Sequence, residues 1–229
     1  MKCASSNKLE SGNVNQDDIY QSYLIRRSKD SLEVRAIFRL KDRYGDTLAL
    51  TYPSHATCND KEMARRDGFM VGVQYVVDEK AYQASTKFEF TTTKGKTYTN
   101  AISLEPIEFT GNATATLSKT SQSVLPVTRI VKEDGVKVTL SIKDGKDKDA
   151  YAEVHGGRGV VGFRSSVYFD DAKKAIIIEP DFVKEFAEGA VTITLTARKE
   201  KNAEQATSRG GELIIEYEAN PISAKVSGK

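Results

Sequence analysis

Histidine is scarce in this chain and tryptophan is absent: of 229 residues, two are His, two are Cys and none is Trp. His55 and His155 are the only imidazoles, so the side chain that most often moves protons near neutral pH is almost missing and acid–base catalysis has little to draw on. Cys3 and Cys58 are too few for a thiolate metal cluster. A disulfide between them stays open, because sequence alone does not show that they approach each other. No apolar run reaches the roughly 20 residues that cross a bilayer, and no segment has the charged-then-apolar form of a secretory signal, so the chain as given reads as soluble. Charge of one sign is also lacking. Thirty-four Lys and Arg against 32 Asp and Glu leave +2, a balance with no global field to gather nucleic acid or an anionic membrane.

What the chain does have is a two-residue hydrophobic rhythm. Leu32, Val34, Ala36, Phe38 and Leu40 alternate with mostly charged neighbours, the signature of a half-buried strand. The same pattern marks Leu48-Leu50-Tyr52, Phe69 to Val77, Phe88-Phe90 and Tyr98 to Leu104. It returns in Ala113 to Leu117, Val136 to Ile142, Tyr151 to Val154, Val167 to Phe169, Ala175 to Ile178, Val191 to Ala197 and Leu213 to Tyr217. Tyr44-Gly45-Asp46, Asn59-Asp60, Asp67-Gly68 and Lys94-Gly95-Lys96 supply turns between them. Spacings of this kind suit stacked antiparallel sheets and not a parallel α/β sheet.

Residues 1–17 are small and polar, as in a flexible leader. Pro106 and Gly111-Asn112 mark a junction near residue 110. The chain therefore reads as all-β, with two tandem sandwich domains over 18–110 and 111–229. One short helix is expected in the second, from Pro180 to Gly189, with Phe182 and Phe186 on a shared face.

The run from Leu32 to Leu40 into Asp42-Arg43-Tyr44-Gly45-Asp46-Thr47 resembles the first domain of uncharacterised bacterial cell-envelope lipoproteins. Ile176 to Pro180, the aromatic helix, and Gly189 to Leu195 look like the last strands of an Ig-like sandwich. The resemblance covers most of the chain, through structural motifs. It implies that Cys3, followed by Ala4-Ser5-Ser6, is the lipid-bearing residue of a mature lipoprotein. Met1-Lys2 departs from that pattern, which places small or apolar residues before the cysteine.

The remaining polar clusters each have a plain structural reading. His55 and Cys58 stand three apart, and on extended backbone such residues point in opposite directions about 10 Å apart, too far for a Cys–His nucleophile. His155-Gly156-Gly157-Arg158-Gly159 is glycine-rich like some oxyanion loops, but the Gly-x-Ser-x-Gly partner is absent. Asp144 to Asp149 interleaves acids with lysines at the wrong spacing for calcium. Lys61 and Arg65-Arg66 read as a charged loop rather than a phosphate grip. Glu212, Glu216 and Glu218 share one face of the final strand, as an edge strand would have them as readily as a glycosidase. Asn112-Ala113-Thr114 is a formal glycosylation sequon.

No cofactor, metal or catalytic set is implied. The reading is a non-enzymatic, exported binding or adhesion-type module, held at the cell envelope through a lipid on Cys3, with a protein or glycan partner and no nucleic acid. Its recognition surface is expected on the segments Asn59 to Gly68 and His155 to Ser165, since rigid β scaffolds carry recognition on their connections. A structural subunit of a surface assembly is the alternative, and a hydrolase with its site at the domain junction is the third reading.

Overall fold

The structure is a computed structural model and describes residues 9–68, 72–111, 115–145, 148–156 and 166–228. The chain is nearly all β, with one short α-helix among the described residues. It divides into two compact units that are interleaved in sequence. The first comprises residues 1–26, 32–104 and 200–215, and the second 27–31, 105–199 and 216–229. The sequence reading cuts the chain once, near residue 110. The two units instead interleave: residues 200–215 return to the first and residues 27–31 belong to the second, a membership that strand alternation alone does not reveal.

In the first unit, β1 (Leu9–Glu10) pairs in parallel with β4 (Leu48–Ala49). Four neighbouring strands of a larger sheet run β2 (Ile19–Ser28), β3 (Ser31–Leu40), β8 (Gly72–Val76) and β7 (Ala64–Gly68) in that order. A second sheet holds β10 (Thr97–Ser103), β9 (Ser85–Thr91), β5 (His55–Cys58) and β6 (Lys61–Glu62). The β5–β6 hairpin turns on Asn59 and Asp60, both at positive φ (47° and 64°), a conformation that these two residue types tolerate. Alternation puts the large residues of both sheets on one side. Tyr23 of β2 stacks on Phe88 of β9 at 4.7 Å, and Phe38 of β3 meets Phe90 of β9 at 4.5 Å. Rings from two different sheets in van der Waals contact define a sandwich. All four are fully buried.

The second unit is built from β11 (Ala115–Ser118), β12 (Ser123–Pro126), β13 (Val136–Asp144), β14 (Asp149–Glu153), β15 (His155–Gly156), β16 (Val167–Asp170), β17 (Ala175–Ile178) and β20 (Ile222–Ser227). Two further strands, β18 (Gly189–Asn202) and β19 (Gly211–Glu218), contribute residues to both units, as do β2 and β3, whose residues 27–28 and 31 fall in the second. Leu140 and Ile142 of β13 pair with Leu195 and Ile193 of β18, and Val191 of β18 pairs with Ala224 of β20, so buried residues align in rows. A second sheet runs β12, β17, β16, β15. All four residues of β17 are buried, as a strand covered on both faces requires. Glu108 ties the unit's end together: its carboxylate accepts from the Tyr217 hydroxyl and from the Asn220 N–H (2.9 Å), and Arg27 lies over the Tyr217 ring at 4.9 Å. Burial and that carboxylate push the Tyr217 phenol up to about 12.

Several local expectations are corrected. The helix, α1 (Pro180–Val183), is a single turn that buries Val183; Phe186 is buried beyond its end and Phe182 is not fully buried, so the two rings do not form a buried pair on one helix face. Gly189 does not end it but begins β18. The leader is built into the fold from Leu9 onward, with Ser11 and Gln16 buried. The Leu48-Leu50-Tyr52 strand stops at Ala49. Phe69 to Val71 and Asn112 to Thr114 lie outside the described residues.

Candidate functional site

After β4 the chain makes a tight turn that presents Tyr52. The Ser54 N–H donates to the Thr51 carbonyl (2.9 Å), the Tyr52–Pro53 peptide is cis, and the Tyr52 ring is 93% exposed. Pro53 has no N–H to give a ladder, which is why the strand pattern does not continue through Tyr52. The turn is held from several sides. Ser11 Oγ accepts the Thr51 N–H (2.9 Å), the Gly12 N–H donates to Thr51 Oγ1 (3.2 Å), and Ser54 Oγ donates to the Thr91 carbonyl (2.7 Å). Gln16 completes the brace, donating to the Ser11 carbonyl (2.6 Å) while its Oε1 accepts the Thr93 N–H (3.1 Å). Segment 9–16, read from sequence as free leader, is therefore the support of this turn.

Beside Tyr52 opens a groove of about 800 Å³ within the first unit, lined by residues 50 and 52–57, by Asp60 and residues 62–65, and by Tyr75. Leu50, Met63 and Ala56 give it an apolar floor, over which the Tyr75 hydroxyl accepts the Leu50 N–H. Its rim carries Asp60, Glu62 and Arg65. Asp60 receives Lys87 Nζ at 2.7 Å, and Arg65 reaches Asp67 through Nε (3.1 Å) and Nη2 (3.5 Å). Burial raises the Tyr75 phenol above its ordinary value, so it holds its proton.

The expected recognition segment Asn59 to Gly68 forms one wall of this groove, but as β6 and β7 instead of a long loop. Its basic residues all face acids: Lys61 meets Glu79 at 2.8 Å, Arg65 meets Asp67, and Arg66 meets Asp78 at 3.2 Å. Strand alternation does not single out Tyr52 or Tyr75 as site residues; the Tyr-Pro-Ser run that exposes Tyr52 is the signal the sequence offers. The other expected segment lies outside the described residues from Gly157 to Ser165, and of His155 only the backbone pairing with Tyr168 is described. Cys3 and Asp147 also lie outside them.

His55 and Cys58 do not come together. On β5 the His55 ring is exposed and bonded to the Pro53 carbonyl (2.9 Å), whereas Cys58 is a fully buried free thiol on the opposite face. Asp144 and Lys148 close the β13–β14 connection, with the Lys148 N–H donating to Asp144 Oδ1 at 2.9 Å. Among the described residues no group of three or more His, Cys, Asp or Glu is placed to hold a metal. Glu212, Glu216 and Glu218 do share a face of β19, but β19 is neither the final strand nor an edge, because β20 follows it and β18 and β2 flank it. Glu212 accepts from Ser22 (3.1 Å) and pairs with Arg43 (2.5 Å), and Glu216 accepts from Arg198 (3.0 Å).

Burial pushes the Cys58 thiol up from 9.0 to about 12, with Glu79 adding to the shift. Its contribution to stability is fully present below pH 9 and is lost as pH rises toward 12, because the unfolded thiol ionises while the folded one does not. In a Cys3→Ser background, a further Cys58→Ala substitution is expected to flatten the fall in urea stability between pH 9 and 11, by at most about 1.4 kcal/mol per pH unit. An unchanged slope, or rapid reaction of Cys58 with a thiol reagent before denaturant is added, contradicts this.

The chain is thus a nearly all-β protein with an open groove beside the exposed Tyr52 on one compact unit. No family model matches its sequence, and no curated protein matches it. Among solved structures it is matched by the crystal structure of murine CEACAM1b, at 8% identity over 94% of this chain and 89% of that one, with a TM-score of 0.24. The sandwich architecture stands on the strand registers and ring contacts described above.

Proposed function

We propose that this protein is a non-enzymatic, adhesion-type binding module, exported and held at the bacterial cell envelope by a lipid on Cys3, which receives its partner in the groove beside Tyr52. The observation that carries the binding reading is the exposed Tyr52 ring on a turn fixed by hydrogen bonds to Ser11, Gly12 and Thr91. Large rings normally bury 150–250 Å². One held in water on a rigid support, above an apolar floor and between charged rims, has the composition of a recognition site. The Cys3-Ala4-Ser5-Ser6 start and the resemblance to envelope lipoproteins support the tether.

Two measurements test the two parts. A Tyr52→Ala, Arg65→Ala double variant is expected to weaken capture of the partner, protein or glycan, by about tenfold or more; unaltered capture removes the groove from the account. The gene product expressed in its native host should incorporate an alkyne-tagged fatty acid, and Cys3→Ser should abolish the label. Labelling that survives Cys3→Ser rejects the anchor.

A further inference from the structure

The groove's chemistry narrows the partner, and on the reading that it binds at all, we infer that its ligand is a neutral oligosaccharide. The charges come first. Asp60, Glu62 and Arg65 line the groove, while Lys87 and Asp67 neutralise Asp60 and Arg65 in part. Counting Asp60, Glu62 and Asp67 against Arg65 and Lys87 leaves one excess negative charge. An anionic glycan or acidic peptide meets two acids at the rim, and a strongly cationic ligand finds too little field to draw it in. Recognition falls to apolar contact and neutral hydrogen bonds.

Sugar rings offer that combination. One face of a pyranose is a sheet of C–H groups, which packs on an aromatic ring without deep burial, and its edge is a circle of hydroxyls. Tyr52 supplies a 93% exposed ring. Asp60 and Glu62 supply carboxylate acceptors for hydroxyl donors. Arg65 supplies the complement, since its contacts with Asp67 use Nε and Nη2 and leave Nη1 out of that pair. The Tyr75 hydroxyl accepts from Leu50 and so retains its own proton to donate. A volume of about 800 Å³ lies within the range of about 300–1,000 Å³ typical of ligand sites, and the open form suits a chain that enters and leaves, such as a few units of a longer polysaccharide.

The test is affinity electrophoresis of the full chain in gels containing β-glucan, mannan, arabinoxylan or starch, with polygalacturonate as the acidic comparator. Titration calorimetry then uses short oligosaccharides of whichever polymer retards migration. At least one neutral polymer is expected to retard the protein. Tyr52→Ala should weaken the measured affinity about tenfold or more, Tyr52→Phe should stay within about threefold, and Glu62→Gln should weaken it. Tyr52 is almost fully exposed, so its variants should keep the parent melting temperature, which reports folding independently. The inference is overturned if no neutral polymer retards the protein, if only polygalacturonate does, or if Tyr52→Ala leaves the retardation unchanged. Capture of a protein partner that depends on Tyr52, with no neutral polymer bound, overturns the saccharide assignment while leaving the groove as the binding site.

Discussion

Phe90→Ala is expected to cost the first unit about 3–5 kcal/mol. Phe90 is fully buried on β9, with β10 on one side and β5 on the other, and its ring meets Phe38 at 4.5 Å and Tyr98 at 6.2 Å. Truncation loses the transfer energy of the ring and opens a cavity that the flanking strands cannot close, because their registers are set by the ladder. Phe90→Leu keeps most of the volume and should cost roughly 1–2 kcal/mol. Urea unfolding followed by far-UV circular dichroism measures both. Amide exchange on β9 and β5 should report the loss locally, since Phe38 and Phe88 share the same interior. A loss below about 1 kcal/mol for the alanine variant contradicts the packing described.

Gly45→Ala is the second large effect. A Cβ at Gly45 would stand 1.8 Å from the Leu40 carbonyl oxygen and 2.9 Å from its carbon. These are backbone atoms, and the loop has little room to yield. The Leu40 N–H donates to the Asp46 carbonyl (2.9 Å), the Gly45 N–H to the Asp42 carbonyl (3.1 Å), and Arg39 Nη1 to the Gly45 carbonyl (3.1 Å). Relief means breaking some of these, at about 1–3 kcal/mol. Gly145→Ala, where nothing lies within 4 Å of the added atom, should change stability by no more than about 0.5 kcal/mol and serves as the control. Equal melting temperatures for the two variants would rule out the close approach.

How much of this was legible follows from what alternation encodes. Where every second residue is large and apolar, as in β3, β9, β13 and β18, the strand was readable with its inward face. Ile19–Ser28 was not, because Gln21 occupies an inward position that breaks the pattern. It is nonetheless fully buried, with its Oε1 accepting from the Tyr23 hydroxyl at 2.8 Å. The final strand was missed for a related reason, since its inward positions are filled partly by Ala224, too small to mark a rhythm. Lys61 to Gly68 looked like a loop because its side chains are almost all charged or small. It holds two strands at sheet margins, where charge is the usual composition. Unit membership is the most remote property from sequence: the return of residues 200–215 is a long-range pairing that local pattern does not contain. Of the groove's lining, alternation and charge mark the Asp60 to Arg65 wall as polar, and they do not mark Tyr52 as exposed. A tyrosine in phase with Leu48 and Leu50 looks like core until the following proline is weighed.

The early ordering of the chain bears on distance from the bilayer. Leu9 is already paired with Leu48, and Cys3 precedes it by six residues, so even full extension spans only about 20 Å. On the proposed attachment at Cys3, Leu9 can stand no farther than that from the lipid. On the same proposal, a partner bound beside Tyr52 would be held close to the lipid surface and not far out in the medium.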